Sequence, residues 1–476
     1  MCTCRKDRTI ADNSLPGSIL PGTTLPGTTH PGNTIPTDAL TRATVDLLRD
    51  LIRNACVNDG TADSGGEIRS VRTLEGFFAG SGLDLEVVEP HPGRASLITR
   101  IRGTDPGAPS LALVGHLDVV PVHEAGWSRD PFAAEIVDGE IWGRGALDML
   151  CLTASYAAVT RAIATGSFRP RGDLVFAAVA DEEAGSGLGV EWLTENRLDL
   201  IDADFVLTES GGVPVGSTPS ISTTIGEKGL AGRRLIVHGT PGHGSAPWGA
   251  RNAAIIAADA VHRLARYHAP VQITADWRRY VAALDLDPAL AARLLDPVRI
   301  IDALHELGTL AGFAHASTHT TVSPNVVRAG DKDNVIPALA TVTLDIRVLP
   351  GIAAADVDAY LREALGELMA DVTIEGEGFE AATRSPIDTP LYDALGAAAR
   401  RAYPNADLLP MLSVGGSDAR FYRRRGIPAY GFALLSRRWD YGMFRQLFHG
   451  NDERIDVESV SLTVNALDAV VRDLHG

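Results

Sequence analysis

The chain lacks a cysteine framework, an apolar run long enough to cross a bilayer, and any excess of basic charge. Its four cysteines, Cys2, Cys4, Cys56 and Cys151, follow no scaffold spacing, which excludes a disulfide-stapled fold. Cys2 and Cys4 form a C-x-C pair without further ligands, an incidental pattern more often than a metal site. No apolar stretch reaches the roughly 18 residues of a membrane span, and the N-terminus has no apolar core of a secretory signal. The expectation is a cytoplasmic chain with no membrane partner. With 60 acidic against 43 basic residues the net charge is -17, which opposes binding to nucleic acid or anionic lipid. Part of that negative charge can serve to hold cations.

What is present is an ordinary globular composition, 45% apolar, over 476 residues. That length exceeds one compact core and implies two domains. The first 36 residues stand apart: Pro16, Pro21, Pro26, Pro31 and Pro36 recur every five positions, mostly within LPG or HPG triplets. Such a segment sustains neither a helix nor a sheet ladder, so 1–36 is expected to be a disordered or extended tail outside catalysis.

From Thr37 onward the pattern is α/β. SLALVGHLDVV (110–120), DLVFAAVADEE (173–183) and ADFVLTES (203–210) are short, apolar and rich in Val and Leu, as strands buried on both faces are. Ala-rich helical stretches such as LTASYAAVTRAIATG (152–166) and GVEWLTENRL (189–198) alternate with them. The alternation predicts a mostly parallel sheet covered by helices. Ligands of such sheets bind beyond the carboxyl ends of the strands, where His116, Asp118, Glu182, Glu183 and Glu209 fall. One such residue is usually a solvated strand end. Three successive strands ending this way point to a shared site.

Imidazole nitrogen and carboxylate oxygen are the donors of a catalytic zinc, which leaves one position open for water. A pair of ions needs a bridging carboxylate besides terminal ligands. Asp148, in the Gly-flanked loop WGRGALDML that enters a helix, suits the bridge. The neighbouring carboxylates Glu182 and Glu183 can divide the labour, one on metal and one free to take a proton. Asp118, two residues past His116, can orient the imidazole or its loop.

The motifs GHLDVVPV, GWSRDPFAAEIVDGEIWGRGALDML, ADEEAGSG, TPGHGSAP, NVIPALATVTLDIR, GGSDARFY and LFHGNDERI, in this order, resemble the co-catalytic zinc exopeptidase and amidohydrolase family. That family includes aminoacylase, glutamate carboxypeptidase, carboxypeptidase S and succinyl-diaminopimelate desuccinylase. The resemblance covers about residues 40 to 475 and lies nearest the carboxypeptidase S branch. It implies two zinc ions, with cobalt or manganese as substitutes. His116 and Glu209 would be terminal ligands to different ions, Asp148 the bridge, and Glu183 and His449 the completion of the two shells. Glu182 would be the general base and Asp118 the carboxylate behind His116. One departure lies close by: the family's DMKG reads Asp148, Met149, Leu150, Cys151 here, which leaves the ligands intact and makes the following helix more apolar.

The resemblance also implies an inserted α+β lid, which the pattern places at 227–348. The catalytic domain is then split into 37–226 and 349–476, and the lid would form a homodimer interface. His243 reads on its own as an exposed turn histidine; by resemblance it reaches the site of the other subunit and donates to the oxyanion. Asn334 and Arg347 would bind the carboxylate of the substrate, with Ser417 in a loop against it, while Asp418 and Arg420 would hold that loop. Trp277, Arg278, Arg279 and Tyr280 lie in an irregular stretch, 270–320, and read as packing rather than as pocket. The expected reaction is hydrolysis of an amide, in a dipeptide, a C-terminal residue or an N-acyl amino acid, bearing a free carboxylate. A biosynthetic enzyme or a binding protein on the same scaffold is the alternative.

Overall fold

The computed structural model describes residues 38–217 and 219–476; the tail expected over 1–36 lies outside them. A ten-stranded sheet forms the centre, in the order β1 (Leu85–His91), β2 (Arg94–Ile101), β6 (Leu174–Val179), β3 (Leu111–His116), β7 (Phe205–Thr208), β19 (Ala429–Gly431), β9 (Ser220–Glu227) and β17 (Thr383–Arg384). Strands β8 (Pro214–Val215) and β18 (Asp407–Ser413) both pair with β9. Strands β6, β3, β7 and β19 run parallel, and antiparallel partners flank them.

The apolar runs fold as strands because both faces of the sheet are covered. Leu111 and Leu113, with Leu174, Phe176 and Ala178, face a core built with the helices Ala39–Arg53, Leu150–Thr165 and Val457–His475. Ala112, Val114, Val175, Ala177 and Val179 face the opposite core with Val190, Leu193 and Tyr422. The period of two assigns successive residues to opposite faces. Helix ends are capped as their sequences require: Asp38 accepts from the backbone N–H of Thr41 at 2.8 Å, and Asp456 from that of Ser459 at 2.9 Å.

A second sheet of five strands holds β10 (Gly229–Leu230), β15 (Leu339–Val348), β11 (Arg233–His238) and β16 (Val372–Gly376), with β13 (Thr321–Ala329) paired to β15. Its core takes in the helices Ala253–Arg266 and Ala354–Leu365. The limits differ from the expected 227–348. The second body continues past Val348 through that helix and β16, and the chain re-enters the large sheet at β17, beside Gly226 and Glu227. Residues 275–318, expected inside the lid, pack instead on the large sheet: Trp277, Tyr280, Ile300 and Phe313 share a core with Val215, Leu409 and Met411. Trp277 and Tyr280 are thus packing residues, stacked with ring centroids 5.7 Å apart. Two smaller ribbons complete the strands, β12 (Gly242–His243) with β14 (Val335–Ile336), and β4 (Glu135–Val137) with β5 (Glu140–Trp142) and β20 (Arg454–Asp456). No described helix is long and apolar enough to cross a membrane.

Candidate metal centre

Strands β3, β6 and β7 deliver their terminal residues to one end of the parallel core. His116 closes β3; Glu182 and Glu183 follow β6 by a short turn; Glu209 follows β7 directly. The helix Leu150–Thr165 then packs so closely on β3 that a side chain on Gly115 would collide with Thr153. Thr153 donates from its hydroxyl to the carbonyl of His116 at 2.8 Å. Asp148, two residues before that helix, thereby faces the strand ends. His449 comes from the far end of the chain, in a left-handed turn with φ 60°.

These groups interlock. His116 Nε2 lies 3.2 Å from Asp148 Oδ1, and His449 Nε2 lies 2.8 Å from Asp148 Oδ2 and 3.2 Å from Glu183 Oε2. Asp148 therefore stands between two imidazoles. Two candidate cation groups emerge among the described residues, His116 with Asp148 and Glu183, and His116 with Glu182 and Glu209. The second brings His116 and Glu209 within reach of one ion, whereas the family resemblance had put them on different ions.

Asp118 acts on the turn more than on the ring. The imidazole of His116 bonds through Nδ1 to the backbone carbonyl of Asp118 at 2.9 Å, and the Asp118 carboxylate stands 3.7 Å from that nitrogen. Its oxygens accept instead from the backbone N–H groups of Glu182 (3.2 Å) and Glu183 (3.1 Å) and from Asn58 Nδ2 (2.8 Å). Asn58 also donates to Asp181, and Arg94 bridges Asp181 and Glu67 with bonds of 2.7 to 2.9 Å. On the other side Ser186 donates to Asp418 at 2.5 Å, and Arg420 donates to the Gly185 carbonyl at 3.0 Å. The Glu182–Glu183 turn is clasped from both flanks.

The electrostatics show an uncompensated site. Burial, then the charges of Asp418, Glu183 and Asp148, drive the Glu182 carboxyl well above its ordinary range, with His116 opposing. Burial and the charges of Glu182 and Asp148 do the same to Glu209. Burial and the charge of Asp148 push Glu183 up to about 7. Burial also resists the charge on Asp148, but the hydrogen bonds from His116 and His449 prevail and hold it down. His449, in spite of burial, is pushed up to about 10 by bonding to Asp148 and Glu183. Four acidic groups crowding two imidazoles is the environment a divalent cation relieves, since its positive charge favours the ionised form of each carboxylate. Glu183 Oε1 is buried with no hydrogen-bond partner, as a ligand atom awaiting a cation is. Nitrogen and oxygen donors with no thiolate fit zinc, cobalt or manganese.

The site opens on a cavity of about 430 Å³. Asp148, Glu182, Glu183, Glu209 and His449 line it; Arg347, Arg420, Arg424 and Arg445 bring cationic groups, beside Lys228, whose pKa burial lowers to about 7; Met411, Val414, Tyr441, Phe444 and Phe448 supply an apolar wall. Of the residues expected to meet substrate, Arg347 lines this cavity, with its Nε on Asp345 at 2.8 Å. Ser417 does not line it, because its hydroxyl is spent on Glu227 at 2.9 Å. His243 and Asn334 are exposed in the β12–β14 ribbon, where Gly244 N–H donates to the Asn334 carbonyl at 2.7 Å, and neither lines the cavity of its own chain. Sequence reasoning missed the apolar wall, Lys228, and the buried supports Asn58, Arg94, Glu67 and Glu453. Glu453 and Phe448 lie within the motif LFHGNDERI beside His449, which is the one signal that could have found them; Asn58, Glu67 and Arg94 adjoin none of the motifs and are brought to the site by the fold.

A sequence model of Peptidase family M20/M25/M40 matches residues 112–473. The chain is 28% identical over 383 residues to aminoacylase-1 of Sus scrofa, covering 79% of this chain and 82% of that protein. It is likewise 28% identical over 425 residues to succinyl-diaminopimelate desuccinylase of Cereibacter sphaeroides, covering 87% and 94%. In fold it is similar to the M20 family metallo-carboxypeptidase Sso-CP2 from Sulfolobus solfataricus, with a TM-score of 0.68 at 18% identity over 92% of this chain and 99% of that one.

Proposed function

The chain belongs to peptidase family M20/M25/M40 and is a metal-dependent hydrolase of amide bonds; from that premise we propose that it cleaves small carboxylate-bearing amides, N-acyl amino acids or dipeptides, at a dinuclear site. The observation that carries this reading is the placement of Asp148 between His116 and His449, with Glu183 on the second imidazole. On it, His116 and Glu209 would hold one ion, His449 and Glu183 a second, and Asp148 would contribute to both. Such a pair, when bound, supplies Lewis acidity toward water and the amide carbonyl.

The residues of the chain divide the rest of the work. Glu182, driven toward the neutral form by burial and by neighbouring carboxylates, is suited to hold a proton once the cations have restored its charge. It takes the proton of the attacking water and returns it to the leaving amine. Asp118 fixes the backbone of Glu182 and Glu183, so both carboxylates keep their aim. Arg347 and its cationic neighbours receive the substrate carboxylate, for which a guanidinium fork is shaped. The apolar wall of Met411, Tyr441, Phe444 and Phe448 takes the acyl group or side chain. His243 and Asn334, absent from the cavity of their own chain, would enter the site of a second subunit. The exposed apolar side chains of the second body, among them Trp248, Ile255, Val327 and Leu339, support association there into a homodimer.

Zinc- or cobalt-loaded protein incubated with libraries of N-acyl amino acids and dipeptides, read by liquid chromatography and mass spectrometry, tests the proposal. Release of the free amino acid is expected, and its loss when the substrate carboxylate is amidated. Absence of turnover on every member of both libraries would contradict it.

A further inference from the structure

We infer that Glu453 and Arg144, neither of which lines the cavity, are positioning residues that set the affinity of the metal centre by fixing Asp148 and His449 together; the inference rests on the dinuclear reading above. Glu453 is completely buried and Arg144 is 3% exposed. A carboxylate removed from water is costly unless its oxygens are satisfied. Both oxygens of Glu453 are, and by the one loop that carries Asp148. Oε1 accepts from the backbone N–H groups of Leu147 (2.7 Å) and Asp148 itself (3.0 Å). Oε2 accepts from that of Gly145 (3.0 Å) and from Arg144 Nη1 (2.6 Å).

The guanidinium closes the circuit. Arg144 Nη2 donates to the backbone carbonyl of His449 at 3.2 Å, so one ion pair touches the backbone of both ligands that flank Glu183. The surroundings leave it little play. The carbonyl of Glu453 accepts from Gly143 N–H at 2.9 Å, and β20 pairs with β5 immediately beyond. Ser128 donates from its backbone and hydroxyl to Asp452, at 2.8 and 2.9 Å, which pins the turn carrying His449 from outside. Two stretches about 300 residues apart in sequence are thereby registered to each other on the scale of a metal–ligand bond. Groups that orient ligands in this way typically govern metal affinity by about 10- to 100-fold.

Titration of metal-free protein with cobalt, followed by calorimetry and by the visible absorption of the ion, tests the clamp. Wild type is expected to take two equivalents. Glu453→Gln puts an amide N–H₂ against backbone donors, so at least one equivalent should bind about 10- to 100-fold more weakly, with an altered absorption band. Arg233→Met, which breaks the Arg233–Asp358 pair (2.7 Å) in the second sheet, is the control: it should lower the melting temperature and leave cobalt affinity unchanged. Should Glu453→Gln fail to fold, Arg144→Lys keeps the charge but loses the reach to His449 and is read in the same titration. Wild-type affinity in the folded variant would overturn the clamp while sparing the dinuclear reading; a wild type that binds no cobalt would overturn both.

Discussion

At the scale of the residue, what marks the acidic and imidazole groups of the candidate metal centre is where each stands on its strand, and that position can be read from sequence. His116, Glu182, Glu183 and Glu209 each end or follow an apolar run, and in a parallel sheet the carboxyl ends of such runs are where ligands bind. Glu453 could not be found this way, because it follows no buried strand and three of its four partners are backbone N–H groups that no residue type marks, Arg144 being the fourth. The same limit hid His475, a histidine in the last turn of the final helix that is 1% exposed and accepts from Gly172 N–H at 3.0 Å. Burial, against that bond, lowers its pKa from 6.5 to about 4. Between those values the unfolded chain binds the proton and the folded one does not, so stability falls as pH drops from 6.5 toward 4. Urea unfolding at several pH values should show wild type losing up to ~1.4 kcal/mol per pH unit relative to His475→Gln, which keeps an acceptor and cannot titrate. Parallel pH profiles for the two proteins would refute this.

At the scale of the element, the approach of the helix Leu150–Thr165 to β3 decides whether His116 and Asp148 meet. Gly115 permits it: an added Cβ would press on Thr153 and on the side chain of Met149, which itself sits 3.3 Å from the His116 backbone N–H. Gly115→Ala is expected to cost about 1 to 3 kcal/mol through overpacking and to weaken metal binding at the same time. Thermal unfolding and metal content, measured on one preparation, would check it; a fall in stability with undiminished metal would separate the helix from the ligands. Elements were legible where a pattern was local. The parallel strands announced themselves by composition. The sequence pattern ends the second body too early because the helix Ala354–Leu365 and β16 carry an amphipathic pattern that suits either body, and only the pairing of β16 with β11, more than a hundred residues earlier, settles it. Residues 275–318 joined the large sheet for a like reason: the aromatic cluster of Trp277, Tyr280 and Phe313 finds its apolar partners on β18 and β8, a choice made by tertiary packing.

At the scale of the whole molecule, a chain too long for one core solves two problems by interruption. The large sheet gathers the candidate metal-holding groups at the ends of β3, β6 and β7 and at the turn of His449, while a second body, inserted between β9 and β17, carries the exposed ribbon of His243 and Asn334. The two crossings lie side by side, where Gly226 and Glu227 pair with Thr383 and Arg384. That architecture was predictable in outline from alternating strands and helices, and the family motifs supplied the insertion; its limits were not. Part of the negative charge seen in composition is concentrated at this centre, where buried carboxylates repel one another. In the proposed mechanism two adjacent, identical residues differ in task, Glu183 holding metal and Glu182 moving the proton. Metal content measured beside turnover in Glu182→Gln and Glu183→Gln tests it most directly. Glu182→Gln is expected to keep both ions and to lose activity by about 100-fold or more, and Glu183→Gln to lose an ion. Loss of metal from Glu182→Gln, or activity in it within about tenfold of wild type, would contradict it.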